Sequence, residues 1–139
     1  AGMRIGYAIG NERLIRYLND VKYSFNSYTM SRAALLAGVE SVRDRSYFEK
    51  TTEEIIKTRE WAKGEFLRLG FSFPDSRANF LFVTHPDHEA KEIFEKLKEC
   101  DVYVRYFGGE RTGRYLRVSI GTKEEMEKLF DALGRILTR

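Results

Sequence analysis

The sequence predicts an α+β fold in which a small, mainly antiparallel sheet carries helices on one face. Before Gly70 the apolar residues mostly follow the helical period, whereas after it they form short alternating runs and two further helical stripes. The order after Gly70 is strand, strand, helix, strand, strand, helix. Each of the two late helices has an apolar stripe, and one sheet face can bury both stripes together.

The first part of the chain is predicted to contain one strand and two short helices. Apolar residues alternate over residues 4–9, which indicates a strand. The first helix is predicted to begin at Asn11, because an asparagine side chain can accept a hydrogen bond from the free N–H groups of a first turn. The pattern breaks over residues 23–27, and a second helix is predicted over about 28–43.

The third helix is the longest and is predicted over about 46–69. Its stripe recurs in alternating steps of four and three residues and consists of Phe48, Thr52, Ile55, Arg59, Ala62, Phe66 and Leu69. Gly70 is predicted to end this helix, because glycine readily adopts the left-handed conformation that is common just after a helix. We place the domain boundary near residue 45, so that this helix leads into the second part.

The second part of the chain is predicted to hold the sheet. Strands are predicted over residues 71–73, 79–84, 102–106 and 115–120, and helices over about 87–100 and 123–138. Thr122 and Glu125 have the spacing of a capping box, in which each side chain accepts a hydrogen bond from the other residue's backbone N–H. This pair predicts where the last helix begins.

Two arginines are predicted to lie side by side on the sheet face that the helices leave uncovered. Alternation along the last two strands places Arg105 and Arg117 on this face. A hairpin centred near Arg111 would set them opposite each other or one diagonal apart, within about 5–8 Å. Two guanidinium groups this close repel each other, so they favour a carboxylate or phosphate as a ligand. The alternative is that both are ordinary surface charges.

The composition indicates an evenly mixed surface charge. The 139 residues include 24 Lys and Arg against 21 Asp and Glu, a net charge of +3, with the two signs interleaved along the predicted helices. No apolar run approaches the ~20 residues that a membrane helix needs. The single cysteine, Cys100, lies on an apolar helix stripe and has no partner for an internal disulfide. We therefore expect a cytoplasmic protein with neither a nucleic-acid nor a membrane partner.

His85 and His88 have a spacing that occurs in metal sites. With one cysteine and no third histidine in the chain, the usual further ligands are missing. The sequence therefore predicts a helix start at Pro86-Asp87 and no metal site.

Two segments resemble the class I/II aminotransferases of fold type I, which use pyridoxal 5′-phosphate (PLP). Ala-Gly-Met-Arg-Ile-Gly-Tyr at residues 1–7 resembles the segment just downstream of the Schiff-base lysine, and Tyr-Leu-Arg-Val-Ser-Ile-Gly-Thr at 115–122 resembles the C-terminal signature. The resemblance implies that Arg4 binds the cofactor phosphate and that Arg117 binds the acid group of the substrate. The alternative for Arg4 is a charge that protects an edge strand from aggregation.

Other segments are similar to the histidinol-phosphate aminotransferase branch of this family. Val-Tyr-Val-Arg-Tyr-Phe at residues 102–107 matches an element whose arginine helps to bind the substrate phosphate, which implies this role for Arg105. Residues 23–28 and 76–81 match further elements of the branch, with Ser24 at a position that is usually proline.

The resemblance implies a C-terminal fragment of an aminotransferase. Residues 1–44 would be the end of the large PLP-binding domain and residues 45–139 the C-terminal small domain. The lysine would lie upstream, so that the fragment alone would have no catalytic residue and no activity. The full-length enzyme would be a homodimer that transfers an amino group between histidinol phosphate and 2-oxoglutarate. Alone, the fragment is expected to self-associate through the first strand and the two short helices.

Two alternatives remain open at this point. Another PLP enzyme of the same fold, a threonine-phosphate decarboxylase or an aromatic aminotransferase, would share Arg4 and Arg117. A protein of a different class, a stand-alone α+β module that binds an anion or RNA, would share only the fold of the second part.

Overall fold

The computed structural model describes residues 2–138 and divides the chain into two compact units, Ala1–Glu49 and Lys50–Arg139. The elements in chain order are α1 (Glu12–Phe25), α2 (Arg32–Arg43), α3 (Arg45–Arg68), β1 (Phe80–Val83), α4 (Ala90–Glu99), β2 (Arg105–Tyr106), β3 (Leu116–Ser119) and α5 (Lys123–Leu137). Within residues 2–138, no helix is both long and apolar enough to cross a membrane. The predicted α+β class is confirmed.

The first unit contains two short helices with well-defined starts. The Asn11 side chain accepts a hydrogen bond from the Arg13 N–H at 3.0 Å, as predicted for the start of α1. Ser31 accepts one from the Ala34 N–H at 3.1 Å. Because this cap ends the extended segment before it, α2 begins at Arg32 rather than near residue 28.

The strand predicted over residues 4–9 is not formed, and this prediction was wrong. These residues have no regular secondary structure, and Arg4 has a φ of 56°. A strand needs a neighbour to satisfy its backbone hydrogen bonds, and the described part of this unit offers only helices. Ile5 is instead held by its side chain, which packs so closely on Gly38 that a Cβ there would lie 2.5 Å from the Ile5 Cδ1.

Helix α3 ends as predicted at Gly70, which has a φ of 83°. The Gly70 N–H donates to the Leu67 carbonyl at 3.0 Å and the Phe71 N–H donates to the Phe66 carbonyl at 2.9 Å. These two bonds form a Schellman motif, which satisfies two carbonyls at the helix end. The Leu69 carbonyl, at the same helix end, contacts the His85 Nε2 at 3.1 Å.

The sheet of the second unit has the order β1-β3-β2, with both pairs antiparallel. One face is buried against helices, and its core includes Leu81, Val83, Leu116 and Val118 of the strands with Phe66, Ile93, Leu97, Met126, Phe130 and Leu133 of the helices. The capping box at the start of α5 is present. Helices on one face of an antiparallel sheet were predicted, and this arrangement is confirmed.

The strands are shorter than predicted. Residues 71–73 form only one bridge, between Ser72 and Thr84, and β2 has two residues where five were predicted, 102–106. The Phe71 ring is used instead to pack against Phe66, with ring centroids 5.3 Å apart. Cys100 was expected on a buried stripe but is exposed, because α4 ends one residue before it.

Candidate functional site

Arg105 and Arg117 are directly opposite each other in the β2–β3 register. This confirms the predicted geometry, in which a hairpin brings the two side chains to the uncovered sheet face. Within residues 2–138, neither guanidinium forms an ion pair with a carboxylate. Two adjacent cations without a carboxylate partner among these residues favour an anion from outside.

The burial of neighbouring residues fixes which way the two arginines point. Leu116 and Val118, on either side of Arg117, are 1% and 3% exposed and face the helices. Because successive residues of a strand alternate between faces, Arg117 must point to the opposite, uncovered face. Arg117 is half-buried and Arg105 is exposed. Arg117 is therefore the less hydrated of the two cations.

Aromatic rings surround the arginine pair on the uncovered face. The Arg117 Cζ lies 5.5 Å from the ring centroid of Phe80 and 5.5 Å from that of Phe107, while the Arg105 Cζ lies 5.2 Å from the Phe107 centroid. Phe82, which pairs with Arg117 in the β1–β3 register, stacks on Tyr115 with centroids 4.5 Å apart. The site is thus cationic with aromatic walls.

The connection between β2 and β3 is held by its own hydrogen bonds. The Thr112 hydroxyl donates to the Phe107 carbonyl at 3.0 Å, and the Gly113 N–H donates to the Gly109 carbonyl at 2.7 Å. A Cβ at Gly113 would lie 3.0 Å from that carbonyl oxygen, so the turn depends on a residue without a side chain. These contacts fix the backbone of Phe107 beside the two arginines.

The chemistry that this face supports is binding and not proton transfer. Arginine carries five N–H donors in a planar fork and stays protonated in proteins, so the pair can hold a carboxylate or phosphate but cannot act as a base.

Arg4 lies in the first unit. Its side chain is exposed, and it forms no ion pair with any described carboxylate. The rigid strand that was expected to hold it is not formed. The guanidinium is nevertheless accessible to an anion.

Sequence reasoning missed the aromatic walls. Phe107 ends the matched segment at residues 102–107, and nothing in the sequence assigned it a role of its own. The signal that would have found it is its position two residues after Arg105, which puts both side chains on the same face if the strand direction continues. Phe80 and Phe82 carry the same kind of signal on β1.

Both ring nitrogens of His85 are in contact with backbone groups. The His85 Nδ1 accepts a hydrogen bond from the Asp87 N–H at 3.1 Å, and its Nε2 contacts the Leu69 carbonyl at 3.1 Å. Both ring nitrogens of His85 therefore already have backbone partners. A nearby cavity of about 490 Å³ is lined in part by His88, Lys91, Arg114 and Asp87, a mixture of charges that favours no ligand class.

Comparison with known proteins extends these observations. A histidinol-phosphate aminotransferase of Clostridium botulinum (strain Okra / Type B1) is 50% identical over 139 residues, which is 100% of this chain and 39% of that protein. The solved structure of histidinol-phosphate aminotransferase from Clostridium acetobutylicum superposes with a TM-score of 0.85 at 22% identity, covering 99% of this chain and 42% of that one.

A further structure, histidinol-phosphate aminotransferase from Sinorhizobium meliloti in complex with pyridoxal-5′-phosphate, has a TM-score of 0.83 at 23% identity and covers 99% of this chain and 37% of that one. At these identities the two structures show the fold. The chain spans about two fifths of the length of the curated relative, as its 39% coverage shows. Residues 1–133 match the family described as aminotransferase class I and II. The chain therefore belongs to the aminotransferase class I and II family.

Proposed function

We propose that this chain is part of a PLP-dependent aminotransferase that transfers an amino group between histidinol phosphate and 2-oxoglutarate. The observation that carries the proposal is the pair of directly opposed arginines, Arg105 and Arg117, on an uncovered sheet face with no carboxylate of the described chain to neutralise them. The 50% identity to a histidinol-phosphate aminotransferase supports the choice of substrate.

The proposal gives each arginine a role. Arg117 binds the acid group of the amino-acid or keto-acid substrate, because its partial burial strengthens a charge-assisted hydrogen bond. Arg105 binds the substrate phosphate, which is larger and more strongly hydrated and suits the more exposed position. Both side chains orient the substrate, and neither moves a proton.

Arg4 is proposed to bind the phosphate of PLP. The residue fits the group, because its guanidinium is exposed, permanently charged and without an ion pair within residues 2–138. When bound, PLP supplies the electron sink for amino-acid chemistry. From this chain, the contribution is a permanently charged cation for the cofactor phosphate.

The experiment uses the full-length protein that contains this chain. Amino transfer from histidinol phosphate to 2-oxoglutarate is measured for the wild type and for Arg105→Ala and Arg117→Ala. Arg111→Ala is the matched control, because it removes the same charge from the same hairpin at an exposed position. The proposal expects a raised KM for histidinol phosphate in Arg105→Ala, a raised KM for 2-oxoglutarate in Arg117→Ala and no rise in either KM in the control. Decarboxylation of threonine phosphate without amino transfer would contradict it.

The resemblance further supports a cytoplasmic homodimer for the full-length enzyme. Sedimentation of that protein at micromolar concentration measures its mass in solution. A mass equal to one chain would contradict the dimer.

A further inference from the structure

Phe107 contacts the guanidinium groups of both arginines. Its ring centroid lies 5.2 Å from the Arg105 Cζ and 5.5 Å from the Arg117 Cζ. Both distances are within the about 6 Å at which a cation is attracted by the negative face of an aromatic ring. One ring is therefore shared by two cations that face each other across the β2–β3 register.

A shared ring offsets part of the repulsion between the two guanidinium groups of this site. Two directly opposed guanidinium groups repel each other and would otherwise turn away into water, since each side chain has many rotamers. The ring attracts both of them without neutralising either charge. The N–H donors lie in the guanidinium plane, so stacking on a ring leaves donors free at the edge for an anion.

We propose that Phe107 is a positioning residue that holds Arg105 beside Arg117, so that Arg105 binds the phosphate of the substrate. The inference rests on the proposed function, since it concerns the same two arginines. Its backbone is suited to this role, because the Thr112 hydroxyl donates to the Phe107 carbonyl at 3.0 Å and so restrains the residue that carries the ring. Phe107 itself touches the arginines and does no chemistry.

The two arginines depend on this ring to different degrees. Arg117 also has the Phe80 ring, whose centroid lies 5.5 Å from its Cζ, on its other side. Among the described residues, Phe107 supplies the aromatic ring that contacts the Arg105 guanidinium. Loss of the Phe107 ring is therefore expected to release Arg105 more than Arg117.

The test compares Phe107→Leu, which keeps an apolar side chain but removes the ring, with Phe107→Tyr, which keeps the ring. In the full-length enzyme we expect Phe107→Leu to raise the KM for histidinol phosphate by about 2- to 5-fold, the size of one cation–π contact at an exposed site. The kcat should change by less than about 2-fold, because the ring acts on binding. Phe107→Tyr should stay within about 2-fold of the wild type. Tyr103→Leu, which removes an exposed ring two residues before Arg105, is the control.

A double-mutant cycle sharpens the result. Once Phe107 is leucine, Arg105→Ala should raise the KM for histidinol phosphate much less than it does in the wild type, whereas Arg117→Ala should keep most of its effect on the KM for 2-oxoglutarate. Equal and full effects of both arginine substitutions in the Phe107→Leu background would overturn the inference. That result would leave the proposed function intact. Unchanged KM in Arg105→Ala and Arg117→Ala themselves would instead contradict the proposed function.

A spectroscopic measurement on the 139-residue chain keeps the inference testable without activity. Ring currents shift the Nε–Hε resonances of arginines that stack on an aromatic ring. We expect the Arg105 resonance to move toward its free value in Phe107→Leu and to stay in Phe107→Tyr, with a smaller change for Arg117. An unmoved Arg105 resonance in a folded Phe107→Leu chain would overturn the positioning role.

Discussion

Arg105 and Arg117 are paired directly across the β2–β3 hairpin, yet they differ in burial, with Arg117 half-buried and Arg105 exposed. The difference follows from the sheet order, because Arg117 lies on the central strand and Arg105 on an edge strand. A central position brings rings from both sides, Phe80 and Phe107, within 5.5 Å of the Arg117 Cζ. The same type of side chain is thus placed in two electrostatic environments.

This difference predicts the ranking of two substitutions in the full-length enzyme. Arg117→Ala should weaken substrate binding by about 2 kcal/mol or more, because a partly desolvated charge pair is strongest, and Arg105→Ala by about 1 kcal/mol. The measurement is KM for both substrates under conditions in which it reports binding. Equal and negligible changes in both variants would remove the site assignment.

A second prediction concerns two glycines in and after α3. Gly70 has a φ of 83° and a Cβ there would lie 3.0 Å from the His85 Nε2, so Gly70→Ala should destabilise the second unit by about 1–2 kcal/mol. Gly64 is the matched control, because it lies inside α3 and a Cβ there meets nothing within 4 Å. Gly64→Ala should stabilise by about 0.5–1 kcal/mol. Chemical denaturation measures both, and the same sign for the two variants would contradict the argument.

A third prediction concerns the acid side of the stability profile. Lys63 contacts the Asp75 carboxylate at 2.8 Å and the Glu60 carboxylate at 3.1 Å, and hydrogen bonds from Lys63 lower the pKa of both groups from their usual 3.8 and 4.5. A lowered folded-state pKa stabilises the fold above the unfolded value, and this contribution is lost as the pH falls through the folded value.

Lys63→Met should therefore reduce the free energy of unfolding at neutral pH and flatten its decline below about pH 4.5. The control is Lys91→Met, since Lys91 is exposed and forms no ion pair within the described residues. Denaturation curves collected from pH 2 to pH 7 give the comparison. A decline in Lys63→Met as steep as in the wild type would show that the ion pairs contribute nothing.

What could be predicted from the sequence was local. The end of α3 at Gly70, the capping box at Thr122 and the opposed arginines each depend on residues that are close in the chain or joined by one hairpin. The absent strand over residues 4–9 and the two-residue β2 could not be predicted, because a strand exists only where a neighbour pairs with its backbone. The position of the Phe107 ring depends on hydrogen bonds within the turn after β2. The spacing of apolar and polar residues along the sequence does not predict those bonds.

A fourth prediction concerns the chain on its own. The 139 residues span 39% of the curated relative, and the resemblance gives none of them the role of the Schiff-base lysine. The isolated chain should neither transaminate nor bind PLP covalently at one site. Absorbance spectra after mixing with PLP are the measurement, with mass spectrometry to locate any modified lysine. A protonated-aldimine band with a single modified lysine would contradict the prediction.

The last prediction is self-association of the isolated chain through its first unit. Tyr7, Ile9, Phe25 and Tyr28 are about nine-tenths exposed, at 91%, 90%, 91% and 92%. Side chains of this size and number are costly to leave in water, and a second copy offers the same apolar groups. Pairing through an edge strand, which the sequence suggested, has lost its basis because residues 4–9 form no strand. We therefore expect two copies to associate through contacts between these apolar side chains.

The experiment is sedimentation or light scattering of the isolated chain at low micromolar concentration. We expect a concentration-dependent mass above that of one chain, reduced when Tyr7, Ile9 and Phe25 are together replaced by serine. Tyr103→Ser is the control, because Tyr103 is an exposed aromatic residue of the second unit, at 74%. If Tyr103→Ser lowers the mass as much as the triple replacement does, the contact between copies is not confined to the first unit. A monomer whose residues 2–44 exchange amide hydrogens slowly would contradict the prediction, because those residues would then be protected within a single chain.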